Sequence, residues 1–178
     1  NYMTPDDFPA LPVHEYDFSF AIPAQVFRIL VEQVAFAAGD DISRRFLTSV
    51  CFDFEGNKLT CVATNTFRLA MKEVSLESIS NPDVKYQILI PAKTLVDVSR
   101  TITDYQGEIT VYVGKRKVFF EAAEMFVVSR LIDEDYLEYR RLIPSKFQTM
   151  FVVNRTALLE AAERADLMAS KTNTVKML

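Results

Sequence analysis

The sequence repeats itself, and that repeat limits the possible folds more than any other feature. Ile22-Pro23-Ala24 closes one apolar run and Ile90-Pro91-Ala92 closes another, 68 positions later. Each proline stands where a helix takes its first residue, a position that needs no N–H donor. Both copies therefore switch from strand to helix at the same point. After the first switch, Phe27, Leu30, Val31, Val34, Ala35 and Ala38 recur at helical spacing, with Gln25, Arg28, Glu32 and Gln33 on the other side and Gly39 closing the helix. After the second, Leu95, Val98 and Ile102 form the apolar stripe.

Three strands are expected after each helix. In the first copy, a two-residue turn at Gly56-Asn57 sets Glu55 against Lys58. Phe54, Phe52 and Val50 then fall opposite Leu59, Cys61 and Ala63 on one apolar face. Cys51 and Asp53 share the other face with Thr60 and Val62, so the two cysteines point apart and read as small buried hydrophobes. A third strand is predicted over 68–74, followed by a loop over 75–85. The second copy supplies a leading strand at 87–90 and further strands at 108–113, 117–121 and 125–131, around Gly114-Lys115. Two copies of strand, helix and three strands pair best as one layered α+β unit with the helices on one side.

A third start follows. Arg140-Arg141-Leu142-Ile143-Pro144 leads into an apolar run at 150–153, where the earlier copies have their strand. Asn154 then caps a helix with Leu158, Ala161, Ala162, Ala165 and Met168 along one face. This helix matches the first at a shift of about 131 positions, close to twice the shorter period. The two periods imply a larger protein built from similar domains, each with internal twofold repetition. On this reading the next strand opens at Val175-Lys176-Met177-Leu178, and 1–17, with Pro5, Pro9 and Pro12, is an extended linker or the tail of a preceding unit.

Composition narrows the function classes. With 178 residues, 49% of them hydrophobic, the chain can bury one full domain core and part of a second. It begins with Asn1, has no charged-then-apolar leader, and contains no apolar run of about 18 residues, so a cytoplasmic location is expected. Two cysteines and the single His14 are too few for a disulfide scaffold or a structural zinc site, and no cofactor is expected. A net charge of -4 argues against nucleic-acid binding by bulk electrostatics and leaves only local patches. Asp40-Asp41 and Asp133-Glu134-Asp135 have the residue types of acid/base pairs or magnesium ligands, but acidic loop runs are usually solvated. There is no Gly-rich phosphate loop, nucleophile motif or histidine base, so an enzyme is not expected.

One stretch stands apart. In Val62-Ala63-Thr64-Asn65-Thr66-Phe67-Arg68-Leu69-Ala70 a small polar turn interrupts two β runs, and the second copy has no equivalent Thr-x-x-Phe-Arg-Leu. Taken singly, Arg68 reads as an exposed strand cation, Phe67 as core or loop packing, and Arg140-Arg141 as a solvated pair. Taken together with the rest of the chain they carry more. Phe36, Asp41, Ser43-Arg44, Leu47-Thr48, Val62-Ala63-Thr64, Arg68-Leu69-Ala70, Ile90-Pro91-Ala92-Lys93, Ser129-Arg130-Leu131-Ile132-Asp133, Tyr139-Arg140-Arg141 and Ile143-Pro144 resemble, in order and spacing, the bacterial sliding clamps, the β subunits of DNA polymerase III.

The resemblance implies a DNA-clamp fold, with helices on the inner face and sheets outside, and a non-catalytic processivity factor. In that family three similar domains make a crescent, and two crescents form a homodimer ring around duplex DNA. Residues 1–12 would be the tail of the first domain and its linker, 13–144 the middle domain and 145–178 the start of the third. This chain alone is expected to be monomeric, because ring closure joins a first domain to a third. The implied partners are duplex DNA, held topologically and without sequence preference, the polymerase III alpha subunit, the clamp loader and other proteins with a clamp-binding motif. Such peptides would dock on Arg44, Leu47, Thr64, Thr66, Phe67, Arg68 and Leu69, completed by Leu137, Arg141 and Leu142. Asn65 stands where the family usually has aspartate, which changes local charge, and Leu137 where proline is common, which reshapes the rim. Arg28, Arg45, Lys93 and Arg100 are the candidate DNA-facing cations. The alternative reading is a repeat-built protein-binding adaptor that never encircles DNA.

Overall fold

The computed structural model describes residues 16–81 and 85–168. The linker prolines Pro5, Pro9 and Pro12, His14 and the expected strand at 175–178 lie outside the described residues. The chain divides into two compact units, Asn1–Tyr139 and Arg140–Leu178.

In the first unit β1 (Phe18–Pro23) leads into α1 (Ala24–Val34), then β2 (Ser49–Glu55), β3 (Lys58–Thr64) and β4 (Leu69–Ser75). After the short β5 (Ser78–Ile79), β6 (Tyr86–Pro91) leads into α2 (Ala92–Thr101), then β7 (Glu108–Val113), β8 (Lys117–Ala122) and β9 (Met125–Arg130). The sequence order is two copies of strand, helix, three strands. The spatial order differs. One antiparallel sheet runs β4-β3-β2-β6 and the other β5-β1-β7-β8-β9, so each copy's leading strand pairs with the other copy's three trailing strands. The exchange is symmetric in register: Pro23 lies opposite Glu108, and Pro91 opposite Ser49. Neither copy can satisfy its sheet hydrogen bonds alone, which welds the halves into one α+β unit.

Both sheets and both helices share one core. Phe18, Phe20 and Ile22 alternate into it from β1, Phe27 and Leu30 enter from α1, Leu95 and Val98 from α2, and Phe52 and Phe54 from β2. Aromatic rings meet across the layers, with Phe54 5.2 Å from both Phe18 and Phe20 and Phe27 6.0 Å from Phe120. The β2–β3 hairpin has the expected register, Glu55 opposite Lys58, Phe54 opposite Leu59 and Phe52 opposite Cys61. Cys61 lies in this core, whereas Cys51 lies in a second cluster with Val62 and Leu89. Both thiols are free and buried, and burial pushes their pKa values up, so neither is a reactive thiolate.

Two expectations need correction. The predicted loop over 75–85 contains β5, which pairs with β1 through Phe20 opposite Ile79 and Ala21 opposite Ser78. Two residues are too few for a period-2 pattern to show. In the second unit α3 (Arg155–Asp166) forms as expected, with the Asn154 side chain accepting from the Ala157 N–H at 3.1 Å. Residues 150–153 carry no strand, and Met150, Phe151, Val152 and Val153 are exposed. An apolar run becomes a strand only with a ladder partner, and it has none among the described residues.

Candidate functional site

The two copies differ in two connections, and in the first copy these meet. Twenty-six positions separate Pro23 from Ser49, against seventeen from Pro91 to Glu108, so the first helix and its connection to the next strand are together nine residues longer. The β3–β4 turn has four residues, Asn65 to Arg68, where the β8–β9 turn has two. Two short 3-10 turns, Ala35–Ala37 and Arg45–Thr48, shape the long connection.

The four-residue turn is held at several points. The Asn65 side-chain oxygen accepts from the Phe67 and Arg68 N–H groups, both at 3.1 Å. Thr64 Oγ1 donates to the Arg68 carbonyl at 2.7 Å and accepts from the Thr66 N–H at 3.1 Å. Asn65 can do this with its neutral carbonyl oxygen as well as a carboxylate would, an Asx turn. Thr66 is driven to φ 78°, the left-handed region that a β-branched residue adopts only when its surroundings force it. The result is that Phe67 points outward and is 95% exposed. Its reading as core or loop packing is therefore wrong: a phenylalanine beside a strand normally buries, but this turn leaves it no inward path.

Arg68 reaches from the turn to the connection. Its Nη2 donates to the Phe36 carbonyl at 2.6 Å and its guanidinium sits 5.4 Å from the centre of the Phe36 ring. Gly39, in the connection, donates its N–H to the Leu47 carbonyl at 2.7 Å. A Cβ on Gly39 would stand 3.4 Å from Asn65 Cβ, a close fit for the two segments. Asp41 orders the next turn: it accepts from Ser43 Oγ at 2.6 Å, from the Ser43 N–H at 3.0 Å and from Arg44 Nε at 2.9 Å. The Ser43 hydroxyl and then Arg44 hold its carboxyl below the usual carboxylate range. The first of the acidic pair expected to be solvated, Asp40, is exposed, but Asp41 is thus a structural cap.

An apolar cluster lies beside this turn, on the side of the β4-β3-β2-β6 sheet away from the main core. Cys51, Val62, Leu89, Ile132, Tyr136 and Tyr139 form it, and half-buried Phe46, Leu69 and Leu137 pack against it. The segment after β9 is strapped down by Ile132 N–H to Leu89 O at 2.9 Å, Tyr136 OH to Val62 O at 3.4 Å and Tyr139 OH to Asp53 Oδ2 at 2.6 Å. Burial raises the Tyr136 hydroxyl pKa, keeping it a neutral donor.

Eight of the ten expected docking residues belong to the first unit, and Arg141 and Leu142 to the second, where both are exposed. Within the first unit Arg44, Thr66, Phe67 and Arg68 are exposed and Leu69 and Leu137 share the apolar cluster. Leu47, at 1% exposure, and Thr64 are buried, so neither presents a surface to a peptide. Phe36, Phe46 and Tyr136 are the neighbours that sequence reasoning left out. Phe36 had a signal: it sits out of phase with the stripe of Val34, Ala35 and Ala38, an aromatic placed to be exposed.

The candidate DNA-facing cations are dispersed. Arg28 is half-buried and donates to the Thr103 carbonyl at 2.6 Å, tying α1 to the turn after α2. Lys93 and Arg100 are exposed on α2, and Arg45 is exposed on the 3-10 turn before β2, off both helices. The charges of α1 and α2 are Arg28, Glu32, Lys93, Asp97 and Arg100, a net of +1. Among the described residues no group of three or more His, Cys, Asp or Glu is arranged to hold a metal ion, and no helix is long and apolar enough to cross a membrane.

The sequence profile of the DNA polymerase III beta subunit, central domain, matches residues 21–138. The chain belongs to the DNA polymerase III beta subunit family. The beta sliding clamps of Halalkalibacterium halodurans and Bacillus subtilis are each 32% identical to it, over 169 and 179 residues. Those alignments cover 95% and 99% of this chain but 44% and 47% of the relatives. Among solved structures, the Bacillus subtilis sliding clamp superposes with a TM-score of 0.88 at 31% identity, over 95% of this chain and 44% of that one. A Pseudomonas aeruginosa sliding clamp bound to griselimycin gives 0.84 at 25% identity, over 93% and 44%. The chain thus spans less than half the length of the clamps it matches.

Proposed function

We propose that this chain is the central part of a bacterial sliding clamp, whose complete form encircles duplex DNA as a homodimer ring and docks partner proteins by short peptides. Residues 13–144 are the middle domain, 1–12 the end of the first and 145–178 the start of the third. The protein works in the cytoplasm as processivity factor of the replicative polymerase, without catalysis or cofactor.

One observation carries the docking role: the rigid 65–68 turn presents Phe67 and Arg68 next to an apolar cluster carrying Leu69 and Leu137. Apolar side chains of a peptide gain about 25 cal/mol per Å² buried there. Arg68, Arg44 and Thr66 orient its polar groups, with Arg141 and Leu142 completing the wall and the third domain supplying the other side. The partners are the polymerase III alpha subunit, the clamp loader and other proteins with a clamp-binding motif. Arg28, Arg45, Lys93 and Arg100 face the DNA. A net of +1 on the two helices suits a ring that slides, since it gives weak phosphate contact and no base readout. Retention then comes from topology.

Two measurements on the full-length protein test this. Arg68→Ala or Leu142→Asp weakens a Gln-Leu-x-Leu-Phe peptide by about tenfold or more, and unchanged affinity contradicts the docking assignment. Loaded on nicked circular DNA, the protein falls off when the circle is linearised. Retention on the linear DNA contradicts encirclement.

A further inference from the structure

A cleft of about 510 Å³ opens beside β6 and the β7–β8 turn, and two of the segments lining it carry opposite charge. Lys115 and Arg116 come from the β7–β8 turn, and Asp133, Glu134 and Asp135 from the segment after β9. A contiguous hollow of about 470 Å³ shares Arg116 and Asp133 and adds Lys117 and Arg130. Among the described residues, none of these four cations has an ion pair, nor do Asp133 and Asp135. Glu134 accepts from the Phe46 N–H at 3.2 Å. Lys117 and Arg130 lie directly opposite each other in the β8–β9 ladder. Like charges in that position destabilise a sheet, so the fold gains nothing from the pair.

Where Gln87, Ile88 and Leu89 line the cleft, the outer edge of β6 is capped at Leu89 and open at Gln87. Among the described residues, β6 has β2 as its only strand neighbour. On its other edge the Leu89 carbonyl takes the Ile132 N–H at 2.9 Å. By antiparallel alternation Gln87, two residues back, turns its N–H and carbonyl to that same edge, where neither has a backbone partner among the described residues.

We propose that this cleft binds an extended peptide segment of a partner protein, laid against β6 at Gln87. The peptide's backbone pairs with the open Gln87 N–H and carbonyl, a carboxylate side chain meets Arg116, Lys117 and Arg130, and a cationic side chain meets Asp133 and Asp135. The oppositely charged segments set the direction of the peptide and exclude a uniformly charged ligand. They also argue against nucleic acid, whose phosphates would face three carboxylates.

The probe is the nonapeptide Glu-Thr-Glu-Val-Thr-Val-Lys-Thr-Lys, titrated into the 178-residue chain and followed by amide NMR shifts. Controls are the same peptide with Glu for both Lys, and oligothymidylate. The bipolar peptide gives saturable shifts at Gln87, Leu89 and Lys115 to Lys117, with a Kd below about 1 mM. Lys117→Glu weakens it about tenfold while raising the unfolding midpoint, because the new carboxylate pairs with Arg130. That opposition separates lost binding from lost folding. The proposal is overturned if the bipolar peptide does not saturate these amides, if the all-acidic peptide or oligothymidylate binds there as well, or if folded Lys117→Glu keeps full affinity.

Discussion

The two copies of the repeat share a plan and differ in what they add to it. The second copy turns tightly from α2 into β7 and from β8 into β9. The first lengthens both equivalent connections, and the added residues find each other through Arg68 and Phe36, Gly39 and Asn65. Symmetry therefore builds the scaffold, and the departure from symmetry builds the exposed 65–68 turn, the surface proposed for docking. A copy that only served the fold would have no reason to hold a threonine in the left-handed region or a phenylalanine in water.

The scaffold half of that comparison makes the largest prediction. Because leading strands are exchanged, a core lesion in either copy should destabilise both sheets together. Phe54→Ala in the first copy and Phe120→Ala in the second each cost about 3–5 kcal/mol. In urea each gives a single transition, seen alike by fluorescence and circular dichroism. Two separated transitions would mean that the copies fold independently.

Much of this scaffold was legible in the residues. The Ile-Pro-Ala repeat gave the element order, and Gly56-Asn57 fixed the β2–β3 register, because a two-residue turn leaves only one way to pair Phe54 with Leu59. The strand exchange was not legible: alternation in Phe18-Ser19-Phe20 says which face is buried but not which strand lies alongside. β5 was too short to carry a pattern, and 150–153 had the pattern without a partner among the described residues. At the candidate site, Arg68, Leu69 and Leu137 could be picked out by resemblance, whereas the outward turn of Phe67 depends on hydrogen bonds from Asn65 and Thr64 that no periodicity reports.

The turns sharpen the comparison at a smaller scale. Both equivalent hairpins hold a non-glycine residue at positive φ, Thr66 at 78° and Ala123 at 49°. Thr66→Gly relieves the strain of a β-branched residue and stabilises by about 1 kcal/mol, measured by urea midpoint, although glycine's unfolded-state entropy offsets part of the gain. Ala123→Gly gains less. If Ala123→Gly gained more, the first turn would not be the more strained of the two.

The smallest effect expected is on the link between the lengthened segments. Phe36→Ala removes the ring beneath Arg68 and leaves the carbonyl contact, a loss of about 0.5–1 kcal/mol for an exposed cation–π pair. In full-length protein, peptide affinity falls about two- to fivefold, and Phe36→Tyr restores it. Equal affinities for all three would mean that Arg68 is positioned without the ring.

The most direct test of the account removes the asymmetry itself. In the full-length protein, residues 65–68 are replaced by a two-residue turn like Ala123-Glu124, so that the first copy's hairpin copies the second's. Binding of the Gln-Leu-x-Leu-Phe peptide is then measured beside the urea midpoint. The account predicts a folded protein whose peptide affinity drops by about thirtyfold or more. Undiminished binding by the folded, shortened protein would contradict it.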